Sequence, residues 1–154
     1  MVPTELVGTW IGTNGFRLMP TDAFSEFPAT ASVTTAAGGH LSLVAYTWQH
    51  PDDGPQDGVI LIWSAGEADT VAATWGDSWH QKPETMALSG SRTSDGAIRL
   101  EGSYAGDWAW RILLETTEPG ELRIRMDNVI PASYATAEQP AEPYAAMLLQ
   151  ARRT

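Results

Sequence analysis

The chain has 154 residues, 43% hydrophobic and 18% charged, proportions that fit one globular domain with a substantial core and exclude a disordered chain. Its formal net charge of −10 repels phosphate backbones and anionic headgroups, so neither nucleic acid nor membrane is an expected partner. The absence of cysteine excludes disulfides, thiolate metal sites and a cysteine nucleophile.

The first residues, Met1-Val2-Pro3-Thr4-Glu5, carry neither a basic nor an apolar segment, so no signal peptide is expected. No apolar run approaches the roughly 20 residues that span a bilayer, and a cytoplasmic protein is the expectation. Period-two alternation, broken by Gly, Pro, Asn and Asp, then predicts ten strands over residues 7–19, 29–36, 40–50, 58–65, 69–77, 84–93, 96–104, 107–117, 120–129 and 144–152. Residues 20–28 are expected to hold a short helical turn, with Thr21 as a cap and Asp22 and Phe24 following. The alternation is clearest in Val71, Ala73, Trp75 and Asp77, in Trp108, Trp110, Ile112 and Leu114, and in Leu122, Ile124, Met126 and Asn128. Between them stand Arg111, Glu115, Arg123, Arg125 and Asp127, which suit a solvated outer face. Residues 131–143 are rich in Ala and Pro and read as a surface crossing; Tyr144 to Arg153 fits either a last strand or a helix.

The fold class this predicts is all-β: a single domain over residues 1–154, an up-and-down antiparallel β-barrel of about ten strands. In a meander successive loops alternate between the two ends. The loops at Gly38-Gly39, Gly66, Asp95 and Pro119 are expected to be short, and those at 20–28, 51–57, 78–83 and 130–143 longer, with Gly106-Asp107 a tight exception. One pole is then closed. The other collects Phe24, Phe27, Trp48, His50, Trp75 to His80, Tyr104, Trp108 and Asn128. Ten strands enclose more than the eight whose side chains can just fill a barrel, so room for a ligand is expected.

Gly8-Thr9-Trp10-Ile11-Gly12-Thr13-Asn14, running on to Met19-Pro20-Thr21, resembles the first strand of the calycin barrels, the lipocalins, fatty-acid-binding proteins and small bacterial relatives. The resemblance implies that Trp10 plugs the closed end. The longer pattern is similar to nitrobindin, a haem-binding ten-stranded barrel, in Gly8, Trp10, Gly12, Pro20, Thr21 and the pair Arg152-Arg153. This chain has one residue more before Pro20, and Asn14 and Phe16 stand where that family has later glycines. It also has no His after His80, so the family's C-terminal haem ligand is not carried over, and a haem would need His80 or His50.

Seven Trp in one chain, at 10, 48, 63, 75, 79, 108 and 110, supply large apolar surfaces, each with one N–H to satisfy. The densest candidate segment is Thr74 to Pro83. There Asp77 shares the inner face with Trp75, and His80 follows closely enough to pair with Asp77, to meet a ligand or to act as a base. Gly76-Asp77-Ser78 is equally ordinary turn chemistry. Trp108 and Trp110 share a face as a stacking platform or as core, and Asn128 is a polar group where the barrel opens. The expected function is non-enzymatic binding of a small hydrophobic or aromatic molecule, with ligand-binding residues Trp48, Trp75, Asp77, Trp79, His80, Tyr104, Trp108, Trp110, Met126 and Asn128. No catalytic or metal-ligating residue is assigned; the three His lack ligand-spaced partners. No cofactor is expected, with haem as the alternative of the nitrobindin kind. Further alternatives are a barrel enzyme using Asp77 and His80, and a module whose aromatic rim docks a partner or a second copy of the chain.

Overall fold

Ten strands close into one antiparallel barrel in the computed structural model, which describes residues 2–154. They are β1 (Gly8–Phe16), β2 (Ser25–Ala36), β3 (Leu41–His50), β4 (Gly54–Ser64), β5 (Thr70–Asp77), β6 (Gln81–Arg92), β7 (Ile98–Tyr104), β8 (Trp108–Thr116), β9 (Glu121–Val129) and β10 (Pro143–Arg153). Each pairs with its neighbour in sequence, and β10 closes on β1 with Trp10 opposite Arg153 and Phe16 opposite Met147. Closure leaves no sheet edge unpaired. Among the described residues the helices are short 3-10 turns, at Thr4–Leu6, Ala37–Gly39 and Ala132–Tyr134, and none is long and apolar enough to cross a membrane.

Two sequence expectations are corrected. Residues 20–28 hold no helical turn, because β2 begins at Ser25. The Asp22 carboxylate accepts from the Met19 backbone N–H at 3.0 Å, and the Asp22 N–H donates back to Met19 O, which closes a turn instead of starting a helix. The loop lengths also differ. At the open pole the chain reverses in three residues at 51–53, 78–80 and 105–107, and only 17–24 and 130–142 are long. The cause lies in two inward side chains that cap the backbone just beyond their strands. His50 Nδ1 accepts from the N–H groups of Asp52 and Asp53, and Asp77 Oδ1 from those of Trp79 and His80. The following strands therefore start early, at Gly54 and Gln81. Tyr144 to Arg153 is a strand, with Met147, Leu149 and Ala151 buried on its inner face and Ala146 joining them at a bulge.

Alternation fills the interior as the pattern requires. Val71, Ala73, Trp75 and Asp77 are all buried, as are Trp110, Ile112 and Leu114 and, on β9, Leu122, Ile124 and Met126. Opposite charges pair across the outer wall, Arg111 with Glu101 and Arg125 with Asp127 at 2.6 Å each, Arg152 with Glu121 at 2.9 Å. Exposed pairs of this kind contribute about 0–1 kcal/mol each, so burial and closure hold the barrel.

The closed pole is sealed by Trp10. Its indole N–H donates to Leu6 O at 3.1 Å, and the Arg153 guanidinium lies 4.3 Å from its ring centroid while also donating to the carbonyls of Val7 and Glu5. Gly12, two residues on, lets β1 and β10 approach closely: a Cβ there would stand 1.9 Å from Gln150 O.

Candidate functional site

Asp77 ends β5 on the inner face, and five donors converge on its carboxylate. Oδ1 accepts from the backbone N–H groups of Trp79 at 2.9 Å and His80 at 2.8 Å, and faces His80 Nδ1 at 3.2 Å. Oδ2 accepts from Tyr46 Oη at 2.8 Å and Trp48 Nε1 at 3.1 Å. Tyr46 Oη in turn accepts from Trp75 Nε1 at 2.8 Å. Space for this cluster exists because residue 58 is Gly, where a Cβ would stand 2.2 Å from Tyr46 Oη and 2.9 Å from Asp77 Oδ2. Burial by itself raises the Asp77 carboxyl. Hydrogen bonds from the His80 ring and from the backbone N–H groups of His80 and Trp79 outweigh that and hold it below the usual carboxylate value. Tyr46 is pushed well above the usual phenol value by burial and by the Asp77 charge.

His80 stands in front of this carboxylate, its side chain 3% exposed. Its ring is boxed by Trp79 at 4.8 Å, Trp48 at 4.9 Å, Trp110 at 5.3 Å and Phe16 at 5.8 Å between centroids. With Nδ1 turned to Asp77, the neutral ring carries its proton there and leaves a lone pair on Nε2. That Nε2 is buried and has no hydrogen-bond partner. The turn-capping and pairing readings of Gly76-Asp77-Ser78 thus hold together, one oxygen serving backbone and imidazole alike.

A cavity of about 210 Å³ opens at the mouth beside this ring. Of the residues singled out in the sequence, Trp79, His80, Tyr104, Trp110 and Asn128 line it. Tyr104 Oη donates to Asn128 Oδ1 at 3.0 Å, and the Tyr104 ring stacks on Trp110 at 6.4 Å. Trp48, Trp75 and Met126 do not line it: they are 2%, 0% and 1% exposed and fill the layer beneath with Asp77. The room expected inside the barrel is therefore packed shut around Trp48, Trp75 and Met126 by the indoles themselves. Trp108 sits outside the cavity, against Tyr104 at 6.3 Å and Tyr134 at 5.7 Å. Larger grooves of about 520 and 590 Å³ lie on the outer wall, among solvated side chains such as Arg111 and Arg125, or Thr30 and Thr47.

Sequence reasoning missed Phe16, Arg17, Tyr46 and Tyr144. Arg17 follows the last residue of β1, leaves the alternation and folds over the rim. Its Nε donates to Ala145 O at 2.7 Å and Nη1 to Pro20 O at 2.9 Å, with the guanidinium over the Phe24 ring at 4.7 Å. No carboxylate among the described residues lies within ion-pair distance of it. Asn14, also missed, is 1% exposed on the inner face of β1, and neither polar atom of its side chain has a partner.

Compared with the known protein families the chain matches none, and no curated protein matches it. The likeness to calycins rests on architecture: a closed ten-stranded antiparallel barrel with Trp10 plugging one pole fits a calycin-like fold. For haem, His80 Nε2 backed by Asp77 has the chemistry of an axial ligand. The space does not suit it. Drug-sized ligands occupy roughly 300–1,000 Å³, a tetrapyrrole is larger still, and about 210 Å³ bounded by Phe16, Trp79 and Trp110 does not hold one.

Proposed function

We propose that this barrel is a calycin-type binding protein of the cytoplasm that takes a small apolar or aromatic molecule at its open mouth. The observation that carries this reading is the unpartnered Nε2 of His80, buried in the wall of an aromatic cavity. A buried acceptor left unsatisfied costs about 1–3 kcal/mol. A ligand hydroxyl or N–H offered to Nε2 recovers that cost, while Trp79, Trp110 and Tyr104 supply faces for its ring. At about 210 Å³ the cavity is smaller than the roughly 300–1,000 Å³ of pockets for drug-sized ligands, which favours a ligand built on about one aromatic ring.

Tryptophan fluorescence and calorimetric titrations with phenol, indole and benzene test the reading. Phenol and indole should bind about tenfold more tightly than benzene, the worth of one hydrogen bond of about 1.4 kcal/mol. In His80→Phe that preference should vanish. Failure of all three probes to bind removes the reading, and failure of haem to give a Soret band is expected.

A further inference from the structure

The walls of the mouth cavity hold more than a binding site needs. We infer that the cavity is a proton-transfer site in which His80 Nε2 is the general base, acting on a small aryl ketone or aldehyde with a C–H next to its carbonyl. The inference rests on the binding reading above and deepens it by naming the substrate class and the chemistry.

Three observations carry it. First, His80 is oriented as a base. Asp77 fixes the proton on Nδ1 and stands ready to stabilise the imidazolium formed when Nε2 accepts a second one. Asp77 is itself held by four further donors, so the pair is anchored to the core and does not depend on the loop alone. Second, the cavity wall contains no Ser, Thr, Cys or Lys that His80 could activate as a nucleophile. What the wall offers is a base on one side and hydrogen-bond donors on the others. Third, Arg17 brings a guanidinium with no carboxylate partner to that wall, in a chain whose net charge is −10. Two of its N–H groups are bound to backbone carbonyls, and the remaining ones are available to a developing oxyanion. The Asn128 amide lines the same space, with its oxygen taken by Tyr104.

The step balances without a cofactor. The α C–H bond breaks, its proton forms a bond to Nε2, and its electron pair moves onto the carbonyl oxygen as an enolate held by Arg17. Return of the proton to the same carbon exchanges or inverts that centre; return to a conjugated carbon isomerises the double bond. No electron leaves the system, so no oxidant or reductant is required.

The test uses the full chain in D₂O with phenylacetone and 2-indanone, each built on one aromatic ring with its α C–H between that ring and a carbonyl. Proton NMR reads loss of the α signal, and fluorescence titration with the same probes reads binding. Exchange should exceed the buffer rate and fall about 10²-fold or more in His80→Gln. Arg17→Met should slow it with little change in probe affinity, since a group that meets the oxyanion acts on the transition state rather than on the ketone. Because Arg17 lies outside the core cluster, its variant keeps the test open if His80→Gln does not fold. Probes that bind but exchange no faster than in buffer overturn the inference and leave the binding reading in place. Exchange that persists in folded His80→Gln overturns the assignment of the base. Probes that do not bind at all remove both.

Discussion

Tyr46 and Asp77 lie 31 residues apart in sequence and share a 2.8 Å hydrogen bond at the boundary between packed core and open mouth. Below it Tyr46 Oη receives Trp75; above it Asp77 orients His80. The candidate site is thus built directly on the core, and changes at this junction should register in stability and in ligand response together.

Replacing Asp77 by Asn removes the charge that collects five donors. At least two of those donors lose a charged acceptor, so a loss of about 2–4 kcal/mol is expected. Urea unfolding of Asp77→Asn against wild type measures it. An unchanged midpoint would show that the carboxylate is not the organiser described here.

The same carboxyl sets the acid limit. Its value in the folded chain is lowered from the ordinary 3.8. Its contribution is therefore complete above that value and disappears as pH falls through the lower folded one. Unfolding midpoints at pH 5 and pH 3 should differ more for wild type than for Asp77→Asn. Equal differences would sink the assignment.

At the alkaline end the sign reverses. Tyr46 is raised well above 10.0 in the folded chain, so its contribution is complete below that value and is lost as pH rises through the folded one. Tyr46→Phe should lack this alkaline loss. At neutral pH it should cost about 1–3 kcal/mol, because Trp75 Nε1 loses its acceptor in a dry environment. Tyrosinate absorbance in a pH titration should show a group ionising only as the fold opens.

Asn14 should be replaceable with profit to the fold. Leu is close to it in size and leaves no unsatisfied amide, so Asn14→Leu should raise stability by about 1–3 kcal/mol. A loss instead would mean that the amide is engaged by a buried water or ligand.

Much of the fold was legible because period-two alternation and Gly turns act locally. Val71, Ala73, Trp75 and Asp77 could be placed on one face from spacing alone, and antiparallel parity sent Trp79, His80, Tyr104 and Asn128 to one pole. The loop lengths were not legible. Asp77 and His50 shorten their turns by accepting N–H groups two and three residues ahead, which polar composition alone does not reveal. Tyr46 looked like any other inward residue of β3, and only a partner across the barrel makes it part of the site. Arg17 was hidden because alternation assigns a side only while the strand lasts, and β1 ends one residue earlier.

Arg153 clasps the first turn of the chain from its far end, and β10 supplies the stave that completes the ring. The other pairings join strands adjacent in sequence, so the ring alone must wait until positions 10 and 153 meet. The closing step should therefore be slow, as pairings distant in sequence generally are. Without β10, both β1 and β9 would become bare edges, a surface open to pairing with other chains.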